Sequence, residues 1–318
     1  MKWHVFLPVQ CNGVSMDKAD YIWFDGKLVP WDEAKVHVLT HALHYGTGVF
    51  ESCRCYDADC GPAIFRLKEH MERLHRSAGY YKMPLPYTVK ELCDATVEMV
   101  KANRLRECYI RPIAFFGYTE LGVFPLNNPV DVAIAAWKWG AYLGPDGLNK
   151  GVKIMVSSWR RISGDTMPPQ AKATANYANS ALAKMEAVEK GYDEAIMLNL
   201  QGTVAEGSGE NLFIVKGKTL ATTSDESGAL KGITQDSIKT IARDLGFAVE
   251  ERRITLHDLF NADEVFFTGT AAEVTPIRQI DDKVYGGIGP VTERIQSKFF
   301  DVVNGRDRKY DKWLTRVK

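Results

Sequence analysis

Trp139-Gly140-Ala141-Tyr142-Leu143-Gly144-Pro145-Asp146-Gly147-Leu148-Asn149 divides this chain in two. Gly140, Gly144, Pro145, Asp146 and Gly147 punctuate it, and such a cluster marks a connection between folded units. The 318 residues suit two domains sharing an interface. The expectation is an α+β protein of two domains. Residues 1–138 form a smaller N-terminal α+β domain, 139–149 an interdomain loop, and 150–318 a larger C-terminal domain built on a mixed sheet.

Working upstream, Val130–Trp137 and Cys108–Phe116 read as strands. Thr88 with Glu91 three residues on makes a capping box, and Leu92, Ala95 and Met99 continue an apolar face at helical spacing. Leu67, Met71, Leu74 and Ala78 predict a second helix. Val49–Tyr56 reads as one strand, and Tyr21–Phe24 with Lys27–Val29 as a hairpin turning on Asp25-Gly26. Downstream come a strand at 152–157, a helix at 176–190 closed by Gly191, strands at 195–200 and 211–215, and a helix at 235–245 closed by Gly246. Strands and helices alternate there without a regular βαβ rhythm.

Lys plus Arg and Asp plus Glu both number 40, so the formal net charge is zero. That balance gives no reason to expect nucleic acid or an acidic membrane as partner. No apolar run approaches the roughly 20 residues that span a bilayer. The Val5-Phe6-Leu7 piece, broken by Pro8, lacks the pattern of a signal peptide, so a cytoplasmic protein is expected. Cys11, Cys53, Cys55, Cys60, Cys93 and Cys108 show no C-x-x-C spacing, which argues against zinc. They read as reduced thiols, with a Cys55–Cys60 bridge across Asp57–Asp59 as the alternative.

Several short segments carry chemistry. Lys172 sits among small neighbours just ahead of a helix, whose positive end would depress an ammonium pKa and favour the neutral amine that imine formation needs. Alone, the plainer reading is a surface lysine. Glu206-Gly207-Ser208-Gly209-Glu210-Asn211 lets backbone approach a flat ligand and puts Glu206 where a carboxylate could face a ring nitrogen; a structural glycine turn is the plainer reading. Gly232-Ile233-Thr234 opens a helix and offers free N–H groups to an anion, with Thr234 as cap. Val265-Phe266-Phe267 runs into Thr268–Glu273, a second anion cradle or a turn. Arg73 shares a helix face with His70 and Ser77 and suits a phosphate, or is solvated. Tyr109 and Arg111 lie on one side of a strand, as a carboxylate receptor or as partners of a structural acid.

Taken in order, these segments resemble the class IV aminotransferases, the fold type IV group of pyridoxal-phosphate enzymes. Among them they most resemble the branched-chain amino acid aminotransferases. His41–Glu51, Arg73-Leu74, Tyr109-Ile110-Arg111-Pro112, Trp139–Gly144, the Lys172 segment, Glu206–Phe213, Gly232–Thr234 and Thr268–Pro276 carry the likeness, which spans about Ala19 to beyond Arg294. It implies that pyridoxal 5′-phosphate forms its Schiff base on Lys172, the catalytic residue. It implies Glu206 at the pyridine nitrogen, Tyr177 at the 3′-oxygen, and Arg73, Ile233, Thr234 and Thr270 at the phosphate. Thr270, Ala271 and Tyr109 would receive the substrate α-carboxylate. Phe50, Trp139 and Tyr142, with Tyr45 and Val123 from a partner subunit, would wall the side chain, and Arg111 would meet the γ-carboxylate of glutamate or 2-oxoglutarate.

The activity implied is amino transfer from leucine, isoleucine or valine to 2-oxoglutarate by a homo-oligomer whose pockets are shared between subunits. The alternatives are a D-amino-acid or R-amine transaminase, an aminodeoxychorismate lyase of the same fold, or a metabolite-binding protein without catalysis. The family commonly has glycine where Ser52 stands here, and Ala-Gly-Gly-Asn-Tyr where this chain reads Ala173-Thr174-Ala175-Asn176-Tyr177. The first departure leaves the side-chain preference open.

Overall fold

The computed structural model describes residues 17–140 and 142–317; the Val5–Leu7 piece and Cys11 lie outside them. The chain opens with the expected hairpin, β1 (Tyr21–Phe24) and β2 (Lys27–Pro30). Asp25 and Gly26 take φ of 43° and 88°, the positive values a type I′ turn requires. After α1 (His41–Tyr45) the strand expected over 49–56 is two strands, β3 (Gly48–Phe50) and β4 (Cys53–Ala58). The chain breaks at Glu51-Ser52 because the Glu51 carboxylate turns inward to accept from buried groups. Then come β5 (Gly61–Phe65), α2 (Leu67–Tyr80), α3 (Val89–Ala102), β6 (Cys108–Phe116) and β7 (Val130–Trp137).

The linker stretch ends in a short helix, α4 (Pro145–Lys150), absent from the sequence reading. The second half runs β8 (Val152–Arg160), α5 (Asn176–Glu189), β9 (Glu194–Leu198), β10 (Val204–Gly207), β11 (Asn211–Lys216) and β12 (Thr219–Thr223). It continues with α6 (Ile233–Asp244), β13 (Ala248–Arg252), α7 (Leu256–Phe260), β14 (Glu264–Gly269), β15 (Glu273–Ile280), β16 (Lys283–Val284), α8 (Pro290–Val303) and β17 (Leu314–Arg316).

The first sheet is antiparallel, ordered β17-β5-β4-β6-β7-β1-β2 with β3 on β6. The second is mixed, ordered β10-β9-β8-β15-β14-β11-β12-β13 with β16 on β15. Within it β8 pairs parallel with β9, and β12 parallel with β13. A parallel pair needs a crossover, supplied between β8 and β9 by α5 and between β12 and β13 by α6; β8 also pairs parallel with β15, much later in the chain. Two βαβ units therefore stand where no such rhythm was expected. Their crossover loops are what place the site: Lys172 lies in the first and Gly232 in the second.

One core lies between the first sheet and α2–α3, with Leu67, Met71, Leu74, Leu92 and Met99 fully buried. A side chain of this size stabilises by about 1.5–3 kcal/mol when buried. A second core joins α6 and α8 to β14 and also takes in Tyr56 and Phe65 from the first sheet and Tyr310 and Trp313 near β17. The two sheets thus share apolar contacts.

Candidate active site

The crossover loop after β8 is stitched to the first sheet at the residue that matters. The Lys172 N–H donates to Ser77 Oγ at 3.0 Å, its carbonyl accepts from the Phe50 N–H at 2.9 Å, and Ala173 bridges Val49. The side chain enters a cavity of about 430 Å³, where Nζ donates to the Tyr177 hydroxyl at 2.6 Å and stands 4.9 Å from the Phe50 ring. Lys172 is 8% exposed, so the surface-lysine reading falls. Burial pulls its amine down to about 8, and the positive charge of Arg73 adds to the effect. The cause expected from sequence, the nearby helix end, is not what dominates: burial does.

Arg73 sits on the buried face of α2 with His70 and Ser77. Its Nε and Nη2 donate to the Glu51 carboxylate at 2.5 and 3.0 Å, and Nη1 to the Lys231 carbonyl at 2.7 Å. His70 Nδ1 lies 2.7 Å from the same carboxylate. Burial alone would raise the Glu51 carboxyl, but Arg73 and His70 together drive it far below the ordinary range. The sequence reading gave Glu51 no role beyond closing the His41–Glu51 segment that carries the family likeness. Arg73 borders the start of α6, where Gly232, Ile233 and Thr234 line the cavity. Thr234 is in the first turn, and the residue capping α6 is Gly232, so the expected cap is corrected.

Across the cavity Glu206 is buried. Its carboxylate accepts from the Leu230 N–H at 3.0 Å and pairs with Arg161 Nε at 2.7 Å. Burial raises its pKa and the Arg161 charge opposes that rise. Arg161 was also missed, since nothing local distinguishes it from Arg160 beside it. Tyr177 is pushed up by burial and then by Glu206, which keeps its hydroxyl a donor.

The other end of the cavity is aromatic. Phe50 meets Tyr177 edge-on at 4.7 Å, Tyr109 meets Trp139 at 4.5 Å, and Trp139 meets Tyr142 at 5.5 Å. Arg111 donates from Nη2 to the Tyr109 hydroxyl at 3.1 Å and lies over the Phe50 ring at 4.7 Å, with Nε unpartnered. Thr270 and Ala271 line the cavity from the loop between β14 and β15, and Ser52 lines it from the break between β3 and β4. Tyr45 and Val123 do not line it. They are 42% and 84% exposed, on an apolar face with Leu43, Leu121 and Phe124.

A larger cleft, about 880 Å³, lies behind Arg73. Its charges largely satisfy one another, as in Arg66–Asp236, Lys231–Asp225 and Lys239–Glu251, and it holds no buried amine. Among the described residues no cluster of His, Cys, Asp or Glu has a metal-binding arrangement. Cys55 and Cys60 are both free thiols, which sets the bridge aside: Cys55 faces Cys108 across β4 and β6.

The cavity suits a flat aldehyde bearing a phosphate. It joins a buried amine, an arginine beside a helix N-terminus, and a carboxylate on the far side. Thr268 Oγ1, buried on its lining, has no partner of its own. A family model described as class IV amino-transferase matches residues 48–280. The branched-chain-amino-acid aminotransferase of Escherichia coli is 48% identical over 303 residues, 94% of this chain and 98% of its own length. The crystal structure of an Escherichia coli branched-chain amino acid aminotransferase superposes with a TM-score of 0.93, covering 95% of this chain and all of that one. That from Thermobaculum terrenum, in its pyridoxal-phosphate form, does so at 0.89 with 37% identity, covering 95% of this chain and 99% of that one. With its match to the family model and its near-complete likeness to these relatives, the chain belongs to the class IV aminotransferases.

Proposed function

We propose that this protein is a branched-chain amino acid transaminase that uses pyridoxal 5′-phosphate to pass the amino group of leucine, isoleucine or valine to 2-oxoglutarate. The observation that carries the reading is one cavity holding a buried amine with pKa near 8 and, at its aromatic end, a single arginine. Bound there, the cofactor supplies a carbonyl carbon that exchanges one amine for another and a ring that withdraws electrons from the substrate α-carbon.

The chain's residues supply the rest. Arg73, Ile233, Thr234 and Thr270 would hold the phosphate through a guanidinium, helix N–H groups and a hydroxyl. Glu206, oriented by Arg161, would keep a proton at the pyridine nitrogen, and Tyr177 would donate to the 3′-oxygen. Lys172 would attach the cofactor and, once displaced by the substrate amine, carry the proton from the substrate α-carbon to the cofactor C4′. Thr270, Ala271 and Tyr109 would receive the α-carboxylate. Phe50, Trp139 and Tyr142, joined by Tyr45 and Val123 of a neighbouring copy, would cover an apolar side chain.

Arg111 resolves how one pocket takes two unlike side chains. A buried unpaired carboxylate is costly, so glutamate needs a cation. With leucine bound, Arg111 rests on the Tyr109 hydroxyl and the Phe50 face, the contacts it makes here. With glutamate bound it takes the γ-carboxylate. We also propose the two-domain division at 139–149, β17 then crossing to the small sheet, and a cytoplasmic homo-oligomer as the working unit.

A panel of amino donors with 2-oxoglutarate tests the activity, and half-reactions followed by stopped flow test the arginine. A hydrogen bond to a charged group contributes about 1.5–3 kcal/mol, or roughly 10- to 100-fold. Arg111→Met should lower kcat/KM for 2-oxoglutarate by that factor and that for leucine far less. Equal losses would mean that Arg111 serves the α-carboxylate or the fold.

A further inference from the structure

The loop that presents Thr270 and Ala271 closes on an unusual residue. Glu273 pairs with Gly269 across the β14–β15 hairpin and takes φ of 53°, a left-handed conformation that glycine or asparagine adopts far more readily. Its carboxylate is buried as well, at 4% exposure. The partner comes from the other sheet: Arg54 of β4, also buried, holds Nε 3.8 Å from Glu273 Oε1. Arg54 Nη2 donates to Glu107 at 3.0 Å and to the Trp139 carbonyl at 3.3 Å, and its guanidinium lies 5.6 Å from the Tyr56 ring. Burial pushes the Glu273 carboxyl up, and the Arg54 charge opposes it. Arg54 Nε and Nη1 make no hydrogen bond.

Neither Arg54 nor Glu273 lines the cavity, yet together they meet three pieces of its substrate end. Arg54 is the direct cross-strand neighbour of Tyr109, it holds the Trp139 backbone, and through Glu273 it reaches the Thr270–Ala271 loop. A left-handed glutamate and a buried ion pair are both costly features, and both fall at one point between the sheets.

We propose that Glu273 and Arg54 are positioning residues whose buried tie keeps the Thr270–Ala271 half of the α-carboxylate receptor in register with the Tyr109 half and the Trp139 wall. The inference rests on the transaminase reading of the site and deepens it. Substrate recognition is divided between two sheets, and an ion pair outside the cavity sets their spacing.

The test uses full-length holoenzyme. Glu273→Gln, Glu273→Asn and Glu273→Gly each remove the charge, while asparagine and glycine accept the left-handed backbone. All three should raise KM for amino and 2-oxo acids roughly ten-fold, the size of one receptor bond to the substrate α-carboxylate lost when the loop shifts. The cofactor absorbance band and its dissociation constant should stay as in the parent, and kcat should change much less than KM. Arg54→Lys, which keeps a charge but cannot reach Glu273 and Trp139 together, carries the same expectation should the Glu273 variants fail to fold. The Arg54→Met/Glu273→Gln double variant should be no worse in KM than either single one. A raised KM in Glu273→Gln alone would make the backbone the cause, and a lower melting temperature with unchanged KM would make the pair merely structural; either overturns the tie. Parent enzyme that transfers no amino group would overturn the functional reading instead.

Discussion

Lys172 shows how far a single residue can be tuned by its surroundings. With an amine pKa of about 8, its neutral fraction rises roughly tenfold per pH unit below that value and levels off above it. Capture of pyridoxal phosphate by the apoprotein should therefore speed up from pH 6 to 8 and flatten beyond about 9, followed by the growth of its absorbance band. The sign follows from burial, which disfavours the charged form, so lower pH blocks the amine. Lys172→Ala should show no reducible linkage and no steady-state amino transfer; substantial turnover without added amine would remove Lys172 from its role. Lys172, Glu206, Arg73 and Arg111 were legible because each lies in a short segment of recognisable chemistry. Glu51, Arg161, Arg54 and Glu273 were not. Each acts on a partner distant in sequence, and nothing adjacent to an acid or an arginine tells which buried charge it will meet.

At the level of elements, α2, α3, α5 and α6 were readable, whereas the short helices α1, α4 and α7 carried no reading. α2 and α3 repeat their apolar residues at helical spacing, and the Thr88–Glu91 capping box is formed as the sequence implied, with the Glu91 N–H donating to Thr88 Oγ1 at 3.2 Å and the Thr88 N–H to Glu91 at 2.7 Å. Thr88→Ala should cost about 1 kcal/mol, read from denaturant unfolding, without altering KM, because α3 does not reach the cavity. A larger loss accompanied by weaker substrate binding would show that the cap supports the site. The short strands of the second sheet were harder. β13, Ala248–Arg252, carries three charged residues and no alternation, and is a strand because β12 pairs with it in parallel. The long-range crossover decides it, not local propensity. The helix α8 had a signal that went unread, since Thr292, Ile295, Phe299 and Val302 recur at helical spacing and are buried.

For the whole molecule, the informative surface is the apolar one around α1 and the loop that follows β6. His37 stacks on Tyr118 at 4.1 Å and His41 Nε2 meets the Gly122 carbonyl at 2.6 Å, so these two segments form one face bearing Tyr45, Val123 and Phe124. A large exposed apolar patch marks an interaction site. Sedimentation should find a dimer or larger. Val123→Asp should weaken that assembly and lower kcat/KM for leucine in parallel, since a charge on this face opposes burial. A fully active monomeric parent protein would refute the shared pocket.

The first sheet is also finished late. β17 covers the edge of β5, and the Arg66 N–H that follows β5 donates to the Trp313 carbonyl at 2.6 Å. During synthesis the ribosome delivers Leu314–Arg316 only after the entire second sheet has been made. At about 5–20 residues per second, β5 waits with an open edge for tens of seconds. Throughout that interval the nascent N-terminal half exposes a strand with unpaired N–H and carbonyl groups, the feature that chaperones shield and that pairs wrongly with neighbouring chains. A message truncated before codon 314 would yield a protein whose defect appears in the half already translated.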